Sequence, residues 1–275
     1  MLIVILSFIG ALIGAILCAI VFKFAIWKCL LLFIAFFIAF HALYLIIMAI
    51  ASAGIDKNKP IKAQSKVCRR SCYDISSLVL FYFGIKVKVT GEELIPAEGR
   101  FLLVSNHRSA YDPLAAFNSL YKYNIAFLSK PSNMTLPILG RIAYGAGCIG
   151  VDRENDRKAL KSVLQASDYI SKDICSFGVY PEGTRSKTEE LLPFRAGCFK
   201  ISQKAKVPVV IAATHGTEKV KHRFLKKTTV YIDIIETLSA EKVSEMSTKE
   251  LSDYARDTII AHLNEKRRIE QHADD

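Results

Sequence analysis

The first 51 residues contain no aspartate or glutamate, and their only lysines or arginines are Lys23 and Lys28. Two apolar runs result, Met1 to Phe22 and Cys29 to Ala51, each long enough to cross a bilayer. No cation precedes the first run and a second run follows almost at once, which excludes a cleaved secretory signal. Other absences narrow the chemistry. There is no G-x-S-x-G elbow, which argues against a serine hydrolase, and no Walker A loop, which argues against ATP-type phosphate chemistry. Cys68 and Cys72 share a helical i,i+4 spacing, but no His or Cys pair elsewhere completes a zinc site. The seven cysteines therefore read as reduced, structural thiols of a cytoplasmic domain. No internal repeat or low-complexity tract is present.

The chain has 275 residues, with 37 Lys+Arg against 26 Asp+Glu and a net charge of +11. We divide it into a two-helix hydrophobic membrane anchor at 1–54, a basic linker and helix at 55–84, and one domain at 85–275. The anchor reads either as two spanning helices or as a hairpin held in one leaflet. Lys23, Trp27 and Lys28 form its interfacial connection. The denser cluster of Lys57, Lys59, Lys62, Lys66, Arg69 and Arg70 places the following domain on the cytoplasmic face by the positive-inside bias. That cluster also suits anionic phospholipid headgroups. A second basic run, Lys219, Lys221, His222, Arg223, Lys226 and Lys227, reads as a solvated loop or as a dock for an acidic carrier protein or the bilayer. The membrane segments and the lack of aromatic-basic interleaving exclude a nucleic-acid partner.

Strand patterns alternate with helical ones through the domain, which predicts an α/β fold with a mixed, mainly parallel sheet flanked by helices. Strands are expected at 86–90, 101–104, 125–128, 149–151, 175–180, 207–213 and 228–235, and helices at 113–121, 156–170 and 197–206. Residues 131–147 read as a loop-rich stretch, and Leu160, Val163, Leu164 and Ser167 or Ile170 as the apolar face of an amphipathic helix. Ser247-x-x-Glu250 forms a capping box opening a last helix that runs through Glu265.

Polar residues recur where strands end: His107, Lys130, Arg153, Glu182 and Arg185. In an open α/β sheet those ends form the ligand crevice. His107 and Asp112 share one strand-to-helix turn, with Asp112 expected at the N-cap and Pro113 at the first helical position. The carboxylate can then hold one imidazole nitrogen and leave the other to take a proton from a hydroxyl. Arg153 and Arg185 offer planar forks for phosphate oxygens, and Gly183 lets a backbone approach them. Glu182 would position Arg153 or a substrate hydroxyl, and Lys130 would neutralise a phosphate or developing negative charge. No covalent nucleophile stands beside His107, so direct transfer is the economical mechanism.

Four blocks carry a resemblance to a known family. Asn106-His107-Arg108-Ser109-Ala110-Tyr111-Asp112 resembles the N-H-x-S-x-x-D block of the 1-acyl-sn-glycerol-3-phosphate acyltransferases. Gly147 to Arg153 is similar to their second block, with Gly150 for the usual Phe. Tyr180-Pro181-Glu182-Gly183-Thr184-Arg185-Ser186 resembles the third, F-P-E-G-T-R-S, and Phe194-Arg195-Ala196-Gly197 the F-K-x-G after it. Val207-Pro208-Val209-Val210 matches the start of the fourth, with Ile211 for its second Pro. The resemblance implies His107 as base and Asp112 as its partner. It implies acceptor binding by Arg153, Glu182, Gly183, Thr184 and Arg185, with Lys130 added from its position. It further implies acyl transfer from acyl-CoA or acyl carrier protein to the sn-2 hydroxyl of lysophosphatidic acid, giving phosphatidic acid, with no cofactor besides the acyl donor. An acyltransferase using another lysophospholipid and a catalytically silent phospholipid-binding protein are the competing readings.

Overall fold

The computed structural model describes residues 2–22, 26–186, 188, 190–222 and 227–274. Lys23, Arg223 and Lys226, and the side chains of Lys221 and His222, lie outside the described part, so the charge placement read from them does too. Helices α1 (Leu2–Phe22) and α2 (Ile26–Ser52) pack along each other, Gly14 of α1 leaving room for the Phe36 ring of α2. Their outward side chains, among them Leu6, Leu17, Ile20, Leu30 and Ile38, stay exposed, and both helices are long and apolar enough to cross a membrane. Trp27 and Lys28 belong to the first turn of α2, not to a connection between helices, because the helical pattern begins at Ile26. The basic segment then becomes α3 (Lys66–Tyr82), with Ser65 as N-cap accepting from the Cys68 N–H. Met48 of α2, Cys68 of α3, and Ile142 and Ala146 further on bury together in a small cluster that joins anchor to domain.

The domain is built on seven strands: β1 (Ile85–Thr90), β2 (Leu102–Ser105), β3 (Ile125–Ser129), β4 (Ile149–Gly150), β5 (Ser176–Val179), β6 (Val209–His215) and β7 (Thr228–Leu238). Their order is β1-β7-β6-β2-β5-β3-β4, and β6–β7 is the antiparallel pairing among otherwise parallel ones. The central strands β2 and β5 are buried throughout and β6 is buried up to His215, and their residues are mostly apolar, as suits strands covered on both faces. Between them run α4 (Asp112–Ser119), α5 (Pro131–Thr135), α6 (Leu139–Gly145), α7 (Asp156–Ser171) and α8 (Lys200–Ala205), followed by α9 (Ala240–Glu245) and α10 (Thr248–Asp274). Right-handed crossovers from β2 to β3 and from β4 to β5 run in opposite directions along the sheet, so α4 and α7 cover opposite faces.

Several sequence expectations shift. Residues 131–147 hold two short helices, because Pro131 starts one and only the 136–138 turn interrupts the apolar pattern. On α7 Val163, Ser167 and Ile170 face inward as expected, joined by Ala166 and Tyr169, while Leu160 and Leu164 are exposed, a rotation of the face that Leu spacing alone obscures. Asp112 is not the N-cap. Tyr111 is, Asp112 is the first helical residue, and its carboxylate turns back to the preceding loop. The capping box forms as expected, Ser247 N–H donating to Glu250 at 2.7 Å and Glu250 N–H to Ser247 Oγ at 3.2 Å, but its helix continues beyond Glu265 to Asp274.

Candidate active site

Parallel pairing brings the C-terminal ends of β6, β2, β5, β3 and β4 to one edge of the sheet. His107 follows β2 and Glu182 follows its neighbour β5, so these two residues, 75 apart in sequence, meet there. The loop between β2 and α4 is fixed from below by Asn106, which is fully buried. Its amide donates to Thr214 O at 2.9 Å and accepts from Thr214 N–H at 2.8 Å, tying the end of β2 to β6.

His107 is held on three sides. Its Nδ1 lies 2.8 Å from Asp112 Oδ2, which also accepts the N–H groups of Arg108 at 2.7 Å and Ser109 at 2.8 Å. Asp112 is fully buried, and these donors compensate its charge. The His107 N–H donates to Glu182 Oε1 at 2.6 Å, and its C=O accepts from the Ser186 N–H. The imidazole stacks on Tyr180, with ring centroids 4.5 Å apart. The side chain is 14% exposed, and Nε2 has no hydrogen-bond partner among the described residues. An imidazole held at Nδ1 by a carboxylate and open at Nε2 is the arrangement a general base needs.

Beside this pair, Tyr180 and Pro181 form one wall of a cavity of about 520 Å³. Leu128, Val151, Leu160, Val163 and Val179 make it largely apolar, and Arg153, Arg195 and Lys200 give it cations. Burial and the charge of nearby Arg195 both lower the pKa of the Arg153 guanidinium, so an anion between the two arginines would relieve their repulsion. Arg195 is fixed by donating Nη1–H to Arg153 O at 2.9 Å and its N–H to Pro181 O. Gly183 sits at φ 72°, and a Cβ there would come within 3.0 Å of Arg195 Nε. Its glycine thus makes room for Arg195. Cys198 also lines the cavity, but burial pushes its thiol up to about 12, so little thiolate is present at neutral pH.

The sequence-predicted set is only partly gathered. His107, Asp112 and Glu182 form one bonded unit, and Arg153 and Gly183 line the cavity. Lys130, Thr184 and Arg185 are exposed and outside its lining. Glu182 does not reach Arg153 or open space. It is buried, and its second oxygen accepts the Leu192 N–H at 2.9 Å. Burial raises its carboxyl, and the two backbone donors pull it back. It is a backbone-fixing residue. Tyr180, Arg195 and Lys200 were not singled out from sequence, although the motif containing Arg195 offered the signal.

Residues 86–214, from β1 to the end of β6, match the family model described as Acyltransferase, so the chain carries an acyltransferase-family domain. Within that class it resembles the 1-acyl-sn-glycerol-3-phosphate acyltransferases. It is 27% identical over 204 residues to the protein of that name from Saccharomyces cerevisiae, covering 72% of this chain. The match spans 66%, just under two thirds, of the yeast protein. The Borreliella burgdorferi protein of that name is 29% identical over 202 residues, covering 72% of this chain and 79% of its own. The crystal structure of the 1-acyl-sn-glycerophosphate (LPA) acyltransferase PlsC from Thermotoga maritima superposes with a TM-score of 0.62 at 18% identity, over 95% of this chain and 97% of that one. The fold is therefore shared over nearly the whole chain.

Proposed function

We propose that the chain transfers an acyl group from a thioester, on coenzyme A or acyl carrier protein, to the sn-2 hydroxyl of 1-acyl-sn-glycerol 3-phosphate. The observation that carries this is the His107–Asp112 pair, open at Nε2, beside a cavity that combines an apolar wall with Arg153. The names of the relatives support the acceptor. Nε2 takes the proton of the acceptor hydroxyl as its oxygen attacks the thioester carbonyl. Asp112 steadies the imidazolium that forms. The tetrahedral intermediate then expels the thiolate, which receives that proton, leaving phosphatidic acid and the free thiol. Arg153 attracts the acceptor phosphate, with Lys130, Thr184 and Arg185 on the exposed rim of the same sheet edge. Both substrates are amphiphilic, and α1 and α2 hold the site at the bilayer where they reside, with the domain on the cytoplasmic face.

The test supplies lysophosphatidic acid with acyl-CoA or acyl carrier protein donors to the detergent-solubilised protein and to His107→Ala. Phosphatidic acid formed by the wild type, and reduced at least about 10³-fold in the variant, is the expected result. Turnover of a different lysolipid alone would move the acceptor and keep the mechanism. Silence on every lysolipid would leave a phospholipid-binding protein.

A further inference from the structure

The last helix, α10, lies beyond residues 86–214, the segment that matches the Acyltransferase model. Its inner face, Leu251, Ala255 and Ile259, is fully buried in the core. From this face it donates three hydrogen bonds to one irregular segment. Arg256 Nη2 reaches Leu191 O at 3.1 Å, Arg256 Nε reaches Leu192 O at 3.3 Å, and Ser252 Oγ reaches Phe194 O at 3.2 Å. The Leu191 carbonyl and the Leu192 N–H are two ends of one planar peptide unit. That N–H is the donor to Glu182 Oε2, and Glu182 Oε1 holds the N–H of His107. A cation on the carbonyl end polarises the amide and strengthens its N–H as a donor. It also fixes the plane in which that N–H points. An unbroken path therefore runs from α10 to the backbone of His107.

We propose that Arg256 is a positioning residue for the acyl-transfer site: it fixes the 191–192 peptide, which holds Glu182, which holds the backbone of His107. This rests on the reading of His107 as the base. The groups whose charges act on Glu182 are His107 and Arg108. Losing the Leu192 donor removes a bond that favours the ionised carboxylate, so Glu182 protonates at higher pH and its neutral carboxyl holds the His107 N–H less strongly.

The test combines amide hydrogen exchange with kinetics on the full-length protein, Arg256→Gln and Ser252→Ala. In Arg256→Gln, exchange is expected to quicken in both 190–194 and 105–109. The turnover number should fall about 10-fold or more with acceptor KM within about twofold, the acid limb of the rate profile moving to higher pH. Arg256→Lys, which keeps the charge and reaches one carbonyl, should recover part of the loss. Ser252→Ala frees Phe194 O but leaves the 191–192 peptide held, so 105–109 should stay protected. Faster exchange confined to 190–194 in Arg256→Gln overturns the proposal, as does an unmoved acid limb. Should Arg256→Gln not fold, Arg256→Ala takes its place. The exchange measurement requires no turnover, so an error in the assigned substrate would show in the kinetics alone.

Discussion

Asp112 Oδ2 collects three donors, from His107 Nδ1 and two backbone N–H groups, while Oδ1 has no partner among the described residues. Asparagine fits the same space, with its oxygen accepting the three donors and its NH₂ at the vacant side. Geometry survives and the charge does not. Asp112→Asn is therefore expected to lower the turnover number by about 10³-fold, because the imidazolium loses its counter-charge. Its thermal midpoint should stay close to that of the wild type, and calorimetry beside steady-state kinetics checks both. The stacked Tyr180 belongs to the same arrangement. Burial, and then the charge of Asp112, push its phenol well above the usual tyrosine range, so it serves as a neutral flat wall for the imidazole.

Among the elements, α10 is held to the sheet by Asp233 of β7, which is 1% exposed. Asp233 accepts from Thr90 Oγ1 at 2.6 Å, lies 2.9 Å from His262 Nε2 and 3.3 Å from His215 Nε2, and has Lys266 Nζ at 3.6 Å. Burial alone would raise its carboxyl. The hydrogen bonds from His215, Thr90 and His262 and the charge of Lys266 outweigh burial and hold it far below the usual carboxylate range. A depressed folded pKa contributes stability that is present above the unfolded value, near 4, and is lost as pH falls through the folded one. Asp233→Asn should therefore cost about 3 kcal/mol at pH 7, and should lose less stability than the wild type on acidification below about pH 4. Thermal midpoints measured across pH would show the two curves converging. Parallel curves would mean that Asp233 contributes no charge-dependent stability.

For the molecule as a whole, α1 and α2 present a long exposed apolar surface, followed in the chain by the exposed basic linker with Lys57, Lys59 and Lys62. Cytoplasmic placement predicts that trypsin cuts this linker in inside-out membrane vesicles and spares it in sealed right-side-out ones. Cleavage only from the outside would reverse the orientation. Much of this organisation was legible in the chain. The apolar runs, the strand before His107, the spacing to Asp112 and the Tyr180–Ser186 block depend on local pattern, and local pattern sets where strands and turns begin. Asp112 was readable as the partner of His107 because the two lie five positions apart on one turn. That Glu182 would fix the backbone of His107 was not, since only the β2–β5 pairing brings them together. Nor was Arg195 beside Arg153, Arg256 on the 191–192 peptide, or the joining of Thr90, His215 and His262 at Asp233. By itself the sequence determined most of the elements, the apolar helices and the pairing of His107 with Asp112, because hydrophobic periodicity and turn chemistry act over a few residues. Tertiary structure alone decided which buried polar atoms meet, because hydrogen bonds between distant segments depend on strand order and helix docking.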